Sequence, residues 1–255
     1  MPCAWWIALL LFSGRDAPVY TAATLVNAAH PEAGLAPNTF ASLYGEGLSW
    51  TERALRPEDL ASGTLPTTLP GTGVRVMVGE VPASLWYVSP RQVNFLVPSN
   101  LRPGVVELRL VVDAQWGPAV RVRLEETAPA LFRLDPEYAL AVRLDGAVAT
   151  RAEGLGGGEE ILLYATGLGD TVPPTVHGQV PRAAAWIRDR DHFRVLLNGS
   201  PADAGSIAYV GAAPGFAGLY QINLRLPAEL PPDPEVRIRT AGATSPPGVR
   251  LPTRR

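Results

Sequence analysis

The sequence predicts an all-β chain made of two tandem immunoglobulin-like β-sandwiches descended from one duplicated unit. Three observations carry that expectation. Apolar residues alternate with polar ones at a period of two, as a strand with one buried face requires. Prolines and glycines, 26 and 25 of them in 255 residues, punctuate nearly every gap between such runs. Three blocks of sequence also recur in the same order, and a fixed-offset repeat decides architecture before any single strand is assigned.

Taken from the N-terminus, Ala4 to Phe12 is a nine-residue apolar run, too short to span a bilayer and the right length for the apolar part of a signal peptide. Residues 1–23 are therefore expected to be an export leader, with Thr21-Ala22-Ala23 as the best small-residue cleavage site. No basic residue precedes the run. Residues 25–126 form the first expected sandwich and residues 128–250 the second, with the boundary at the Thr-Ala-Pro turn near Glu126 to Pro129. The 255 residues suffice for two such domains, each with its own core.

The repeat is read from three alignments. Phe40-Ala-Ser-Leu-Tyr-Gly-Glu-Gly-Leu48 matches Glu160-Ile-Leu-Leu-Tyr-Ala-Thr-Gly-Leu168 at an offset of 120 (160 − 40). Val74 to Ala83 matches Phe193 to Ala202 at 119 (193 − 74). Gln92-Val-Asn-Phe-Leu-Val-Pro98 matches Gln221-Ile-Asn-Leu-Arg-Leu-Pro227 at 129 (221 − 92), so the second copy carries about ten extra residues between Ala202 and Gln221. Val120-Arg-Val-Arg-Leu124 alternates apolar residues with arginines, and Val236-Arg-Ile-Arg239 repeats the pattern. Val105–Val112, Leu140–Leu144 and Glu160–Ala165 are further expected strands. Pro57 opens the one expected helical turn, over Arg56 to Ser62. Asn198-Gly199 between apolar runs reads as a tight hairpin, which makes the glycosylation sequon at Asn198 incidental. The Pro- and Arg-rich tail from Ser245 to Arg255 is expected to fray.

Composition narrows the function. All 22 basic residues are arginine, the formal net charge is −2 and the pI is near 6.0, which is not the basic footprint of a nucleic-acid-binding protein. The single cysteine, Cys3, allows no intramolecular disulfide and no thiolate cluster. Nothing else approaches the roughly 18 apolar residues of a membrane span, so none is expected in the mature chain.

Seven motifs occur together: Val26-Asn-Ala-Ala29, Leu35-Ala-Pro37, Tyr44-Gly-Glu-Gly-Leu48, Trp86-Tyr-Val-Ser-Pro-Arg-Gln-Val-Asn94, Ala128-Pro-Ala-Leu-Phe132, Leu163-Tyr-Ala-Thr-Gly-Leu-Gly169 and Gly218-Leu-Tyr-Gln-Ile-Asn223. In this order, from about Leu25 to Gly242, the chain resembles the Solibacter-type C-terminal domain family of acidobacterial exported proteins. That family is similar in turn to the immunoglobulin-like IPT/TIG modules of plexins and transcription factors. The resemblance implies a sandwich fold and export, and it implies no activity.

No catalytic residue, cofactor or metal site is expected. His30, His177 and His192 sit in no catalytic frame and read as solvated surface histidines, and no Gly-x-Ser-x-Gly elbow occurs. Gly167-Leu-Gly169 reads as a tight turn, Gly154 to Gly158 as a flexible loop, and Asp189 with Asp191 as a solvated charged loop. The one pattern that points to a ligand is Gln-x-Asn, present twice. Gln92 with Asn94, and Gln221 with Asn223, place two amides on one face of a strand, and Trp86, Tyr87 and Tyr220 would supply stacking faces for a glycan. In the competing account the amides close backbone groups of a neighbouring loop. The expectation is a non-catalytic binding or spacer module at the cell surface, outside the cell or in the periplasm, partnered by a protein or glycan. A purely structural envelope stalk is the alternative and an unrecognised hydrolase the remote one.

Overall fold

The computed structural model describes residues 16–254; the apolar run at 4–12 and Cys3 lie outside that range. The chain is all-β, and its helical content among the described residues is four short 3-10 turns, one of them at Pro57–Leu60 where a helical turn was expected. No helix among these residues is long and apolar enough to cross a membrane.

The first half contains β1 (Leu25–Asn27), β2 (Phe40–Tyr44), β3 (Arg53–Ala54), β4 (Val74–Val78), β5 (Val81–Pro82), β6 (Ser84–Val88), β7 (Gln92–Leu96), β8 (Gly104–Val112), β9 (Gln115–Trp116) and β10 (Val120–Leu124). One sheet has the order β1-β2-β7-β6-β3 and the other β10-β8-β4-β5, with β9 beside β8. The second half contains β11 (Ala130–Leu131), β12 (Ala141–Arg143), β13 (Glu160–Thr166), β14 (Thr171–Val172), β15 (Ala185–Ile187), β16 (Arg194–Leu197), β17 (Ser200–Pro201), β18 (Ile207–Ala212), β19 (Tyr220–Arg225) and β20 (Val236–Arg239). Its large sheet runs β11-β13-β19-β18-β15-β14 with β12 also on β13, and its small sheet runs β17-β16-β20.

Each half closes over its own core because its strands keep one apolar edge. Val74, Val76 and Val78 of β4 meet Val93 and Phe95 of β7 in the first core, and Ile161, Leu163, Ile222 and Leu224 meet Val195, Val236 and Ile238 in the second. Each such side chain withdrawn from water contributes about 1.5–3 kcal/mol. The registers repeat as well. Met77 and Val78 face Pro82 and Val81 across one hairpin, and Leu196 and Leu197 face Pro201 and Ser200 across the other. Asn198 and Gly199 supply the two positive-φ residues of that second turn, at φ 48° and 80°.

Two expectations change. The two Arg-alternating segments are not counterparts: Val120–Leu124 is the edge strand β10, whereas Val236–Arg239 pairs with β16 as β8 pairs with β4. The counterpart of β10 is the tail expected to fray. Leu35 bridges Leu124 in parallel and receives the Glu125 N–H; Leu155 bridges Thr253 in parallel and receives the Arg254 N–H. Val249 and Leu251 of that tail are buried in the second core. Prolines deny the segment a regular ladder, yet an edge position tolerates them while alternate apolar residues still point inward.

At the other end, Val19 and Tyr20 belong to the first half. Val19 bridges Glu46, and the buried Tyr20 hydroxyl donates to the Pro118 carbonyl at 2.7 Å while accepting the Leu110 N–H at 2.6 Å. A cut at Thr21–Ala23 would remove this anchor.

The halves are joined by a third apolar cluster, in which Phe40, Leu65, Leu96 and Trp86 meet Phe132, Ala217, Val180 and Leu219. Polar bonds stitch it: the Phe40 N–H to Thr166 Oγ1 at 3.0 Å, the Leu65 N–H to the Gly178 carbonyl at 2.7 Å, and Asn38 Nδ2 to the Tyr220 hydroxyl at 3.1 Å.

Candidate functional site

Inward alternation leaves the opposite face of each large sheet to polar residues, and there the two halves present the same four side chains. In the first half Tyr44 lies directly across from Gln92, and Asn94, next along β7 on the same face, lies across from Tyr87. In the second half Tyr164 faces Gln221 and Asn223 faces Tyr209. A β-bulge falls at the same place in both, at Trp86 between Leu85 and Tyr87 and at Ala208 between Ile207 and Tyr209, and it turns the following tyrosine onto the outer face.

The amides bond to one another. Gln92 Nε2 donates to Asn94 Oδ1 at 2.8 Å, and Gln221 Nε2 donates to Asn223 Oδ1 at 2.7 Å. They do not close a neighbouring loop, because the strand pleat sets the two side chains side by side and away from any loop. Nδ2 of each asparagine and Oε1 of each glutamine take no intramolecular partner among the described residues, and all four side chains are half-buried. The arrangement therefore offers one unpartnered amide nitrogen and one unpartnered amide oxygen per half to an uncharged ligand.

The surroundings differ. In the first half Ser42 Oγ donates to Asn94 Oδ1 at 2.9 Å, and Tyr44 is 44% exposed. In the second half Leu162 stands opposite Asn223, and the row through Gln221 continues over Gly211 and Trp186 to Val172. Tyr209 lies across Gly211, whose missing side chain leaves the room: a Cβ there would come within 2.5 Å of the tyrosine hydroxyl. That hydroxyl donates to the Ala212 carbonyl at 2.7 Å and accepts the Ala185 N–H at 3.1 Å, and its burial raises the phenol's pKa above the ordinary value.

Two of the aromatic residues expected to stack on a ligand are placed elsewhere. Tyr220 has no exposed surface; its side chain points into the second core, its hydroxyl donates to the Gly169 carbonyl, and burial pushes its pKa up to about 12. Trp86 packs edge-on against Phe40 at 5.1 Å in the cluster between the halves. Tyr87, Gln92, Asn94, Gln221 and Asn223 do share the outer faces. Tyr44, Tyr164 and Tyr209 complete them; the first two were visible as an aligned pair at offset 120, and Tyr209 was hidden by the extra residues of the second half.

The histidines divide. His30 is 8% exposed, because the buried Asn27 side chain folds its loop inward by accepting the Ala29 N–H and donating to the Gly34 carbonyl. Burial, and then Arg133, lower its pKa, against a smaller opposing effect of Glu32. His177 is half-buried and lowered by the same desolvation, while His192 is exposed and pairs with Asp189. Gly154 to Gly158 is packed rather than loose: a Cβ on Gly154 would meet the Thr253 backbone at 2.2 Å and one on Gly157 the Ala228 carbonyl at 1.9 Å. Gly167 and Gly169 form a positive-φ turn after β13. No group of three metal-ligating side chains occurs among the described residues.

No family model matches the chain, and no curated protein sequence does. Among solved structures it is similar to a surface glycan-binding protein from Prevotella bryantii, at a TM-score of 0.28 and 9% identity over 90% of this chain and 41% of that one. A Bacteroides ovatus glucan-locus protein in complex with a mixed-linkage heptasaccharide gives 0.34 and 11%, over 86% and 44%. The plexin A4 extracellular region gives 0.28 and 14%, over 92% and 18%. The chain thus spans less than half the length of each. Likeness at this level carries no binding function from those proteins to this one.

Proposed function

We propose that this chain is an exported, non-catalytic binding module of the bacterial cell surface or periplasm, that it takes an uncharged glycan on the outer faces of its two large sheets, and that it belongs to the Solibacter-type family. The carrying observation is the Tyr-Gln-Asn-Tyr quartet, repeated in register on both halves. Its exposed atoms are neutral donors, neutral acceptors and aromatic rings, which suit hydroxyl-rich, uncharged sugars better than ions. Repetition of strand order, hairpin register and bulge position supports descent of both halves from one immunoglobulin-like unit.

The test is binding of the full chain to a panel of neutral glycans, followed by the paired variants Q92A/N94A and Q221A/N223A. The expected result is a folded protein with at least tenfold weaker binding in one or both. Wild-type protein that binds no member of the panel, with variants that lose only stability, would overturn the reading.

A second reading, a rigid spacer, is favoured by the apolar cluster and hydrogen bonds that lock the halves together. It predicts that the two halves melt together and that Leu96→Asp separates their transitions in calorimetry.

A further inference from the structure

The two quartets have unequal neighbours, and the inequality bears on which half reads the ligand. In the second half Trp186, 37% exposed, and Val172, 54% exposed, extend the row at the open end of the sheet. The Trp186 ring meets the Tyr209 ring at 5.0 Å and an interplanar angle of 67°. Tyr209 is held against the sheet by its hydroxyl bonds to the backbone at Ala185 and Ala212, and the Arg190 guanidinium lies 5.4 Å from the indole centroid. The result is a fixed corner, with a tyrosine floor and a tryptophan wall, alongside the paired amides Gln221 and Asn223.

In the first half no such corner forms. Where Gly211 leaves room for the tyrosine, Ser89 turns back to take the Gln92 and Arg91 N–H groups on its hydroxyl. The Tyr87 hydroxyl is tied to no backbone group, and that sheet ends in Arg53, which is committed to Asp59 at 2.8 Å, and Ala54.

Resting on the glycan reading above, we infer that the second half carries the principal subsite and that its ligand is a neutral pyranose chain of gluco configuration. A pyranose with all-equatorial hydroxyls has axial C–H bonds on both faces, which lie on an aromatic ring, and a rim of hydroxyls, which reaches side-chain amides. An immobile corner of two rings pays no ordering cost when the sugar arrives. The face also selects against charge, since the row from Tyr164 to Val172 holds no ionised side chain, the nearest along β13 and β19, Glu160 and Arg225, neutralise each other, and Arg190 beside the indole is met by Asp191 at 3.9 Å. An axial hydroxyl, as in a galacto or manno ring, obstructs one of the sugar's two faces, so the gluco ring alone can stack by either.

The experiment titrates full-length protein with cellohexaose, with a galacto-configured hexasaccharide and with a uronate hexasaccharide, using wild type, W186A, W186F, Y209F and Q92A/N94A. Expected are preference for cellohexaose, at least tenfold weaker binding in W186A, partial recovery in W186F, a several-fold loss in Y209F and less than threefold loss in Q92A/N94A. Unchanged melting of W186A shows that the loss is local. If Q92A/N94A abolishes binding and W186A does not, the sheet-face reading stands and this inference falls. If the uronate or galacto chain binds best, the assigned ligand class falls. If nothing binds, both fall.

Discussion

The two halves share a scaffold to the level of single registers and differ in what surrounds it. Asn94 accepts bonds from Ser42 and Gln92, while Asn223 accepts only from Gln221. The first half closes its small sheet with the regular strand β10 and the second with an irregular, proline-bearing tail. Tyr220 of the second half reaches across to Asn38, whereas the position that aligns with it in the first half, Arg91 (220 − 129), makes no such link. The difference teaches that inward positions are constrained alike by two cores, since changing one costs a cavity or a strain. Outward positions beyond the shared quartet diverge, because no core packs against them.

The sharpest way to break the comparison is at the tail. If it is the true counterpart of β10, Leu251→Ala should cost about 2–5 kcal/mol in denaturant unfolding, as for any wholly buried leucine; a frayed tail would give less than about 0.5 kcal/mol. Next is the cross-link: Tyr220→Phe removes the partner of the buried Asn38 amide and should cost about 1–3 kcal/mol. The amide ladders come third. Asn94→Ala breaks two bonds and should cost about 1–2 kcal/mol, and Asn223→Ala breaks one and should cost about half that; equal losses would mean that Ser42 does not brace the first ladder.

The pH dependence is the mildest probe. His30 has a folded pKa below 6.5, so the unfolded chain takes up the proton first as pH falls. Its contribution is complete above 6.5 and is lost as the pH drops through 6.5 toward the folded value. His177 acts in the same direction. Unfolding midpoints at pH 7.5 and 5.5 should therefore differ, with a smaller difference in His30→Gln. An unchanged difference would return His30 to the surface, where its exposed relative His192 lies.

Much of this was legible in the sequence. Period-two alternation identified β4, β7, β10 and β20 because burial on one face writes itself into every second residue. Asn198-Gly199 gave a hairpin, and the two Gln-x-Asn pairs marked the faces that carry the quartets. The placements of Trp86, Tyr220 and His30 were not legible, because side-chain direction after a bulge, at a strand start or in an Asn-folded loop depends on partners distant in sequence.

The chain by itself therefore determined the all-β fold class and which segments align at offsets of 119 to 129, a difference of ten residues. What only the tertiary structure decided is their use. Between Pro82/Pro201 and Tyr87/Tyr209 the offset rises from 119 to 122 (201 − 82; 209 − 87), and by Gln92/Gln221 it reaches 129, so seven of the ten lie between Tyr209 and Gln221, four of them in the turn between β18 and β19 and three in the longer strands. That turn carries Ala217, Gly218 and Leu219 onto the first half, where a Cβ on Gly218 would stand 2.2 Å from Leu96 Cδ1. Local pattern can count an insertion, but contact between the halves is a property of two surfaces that meet only once both have folded.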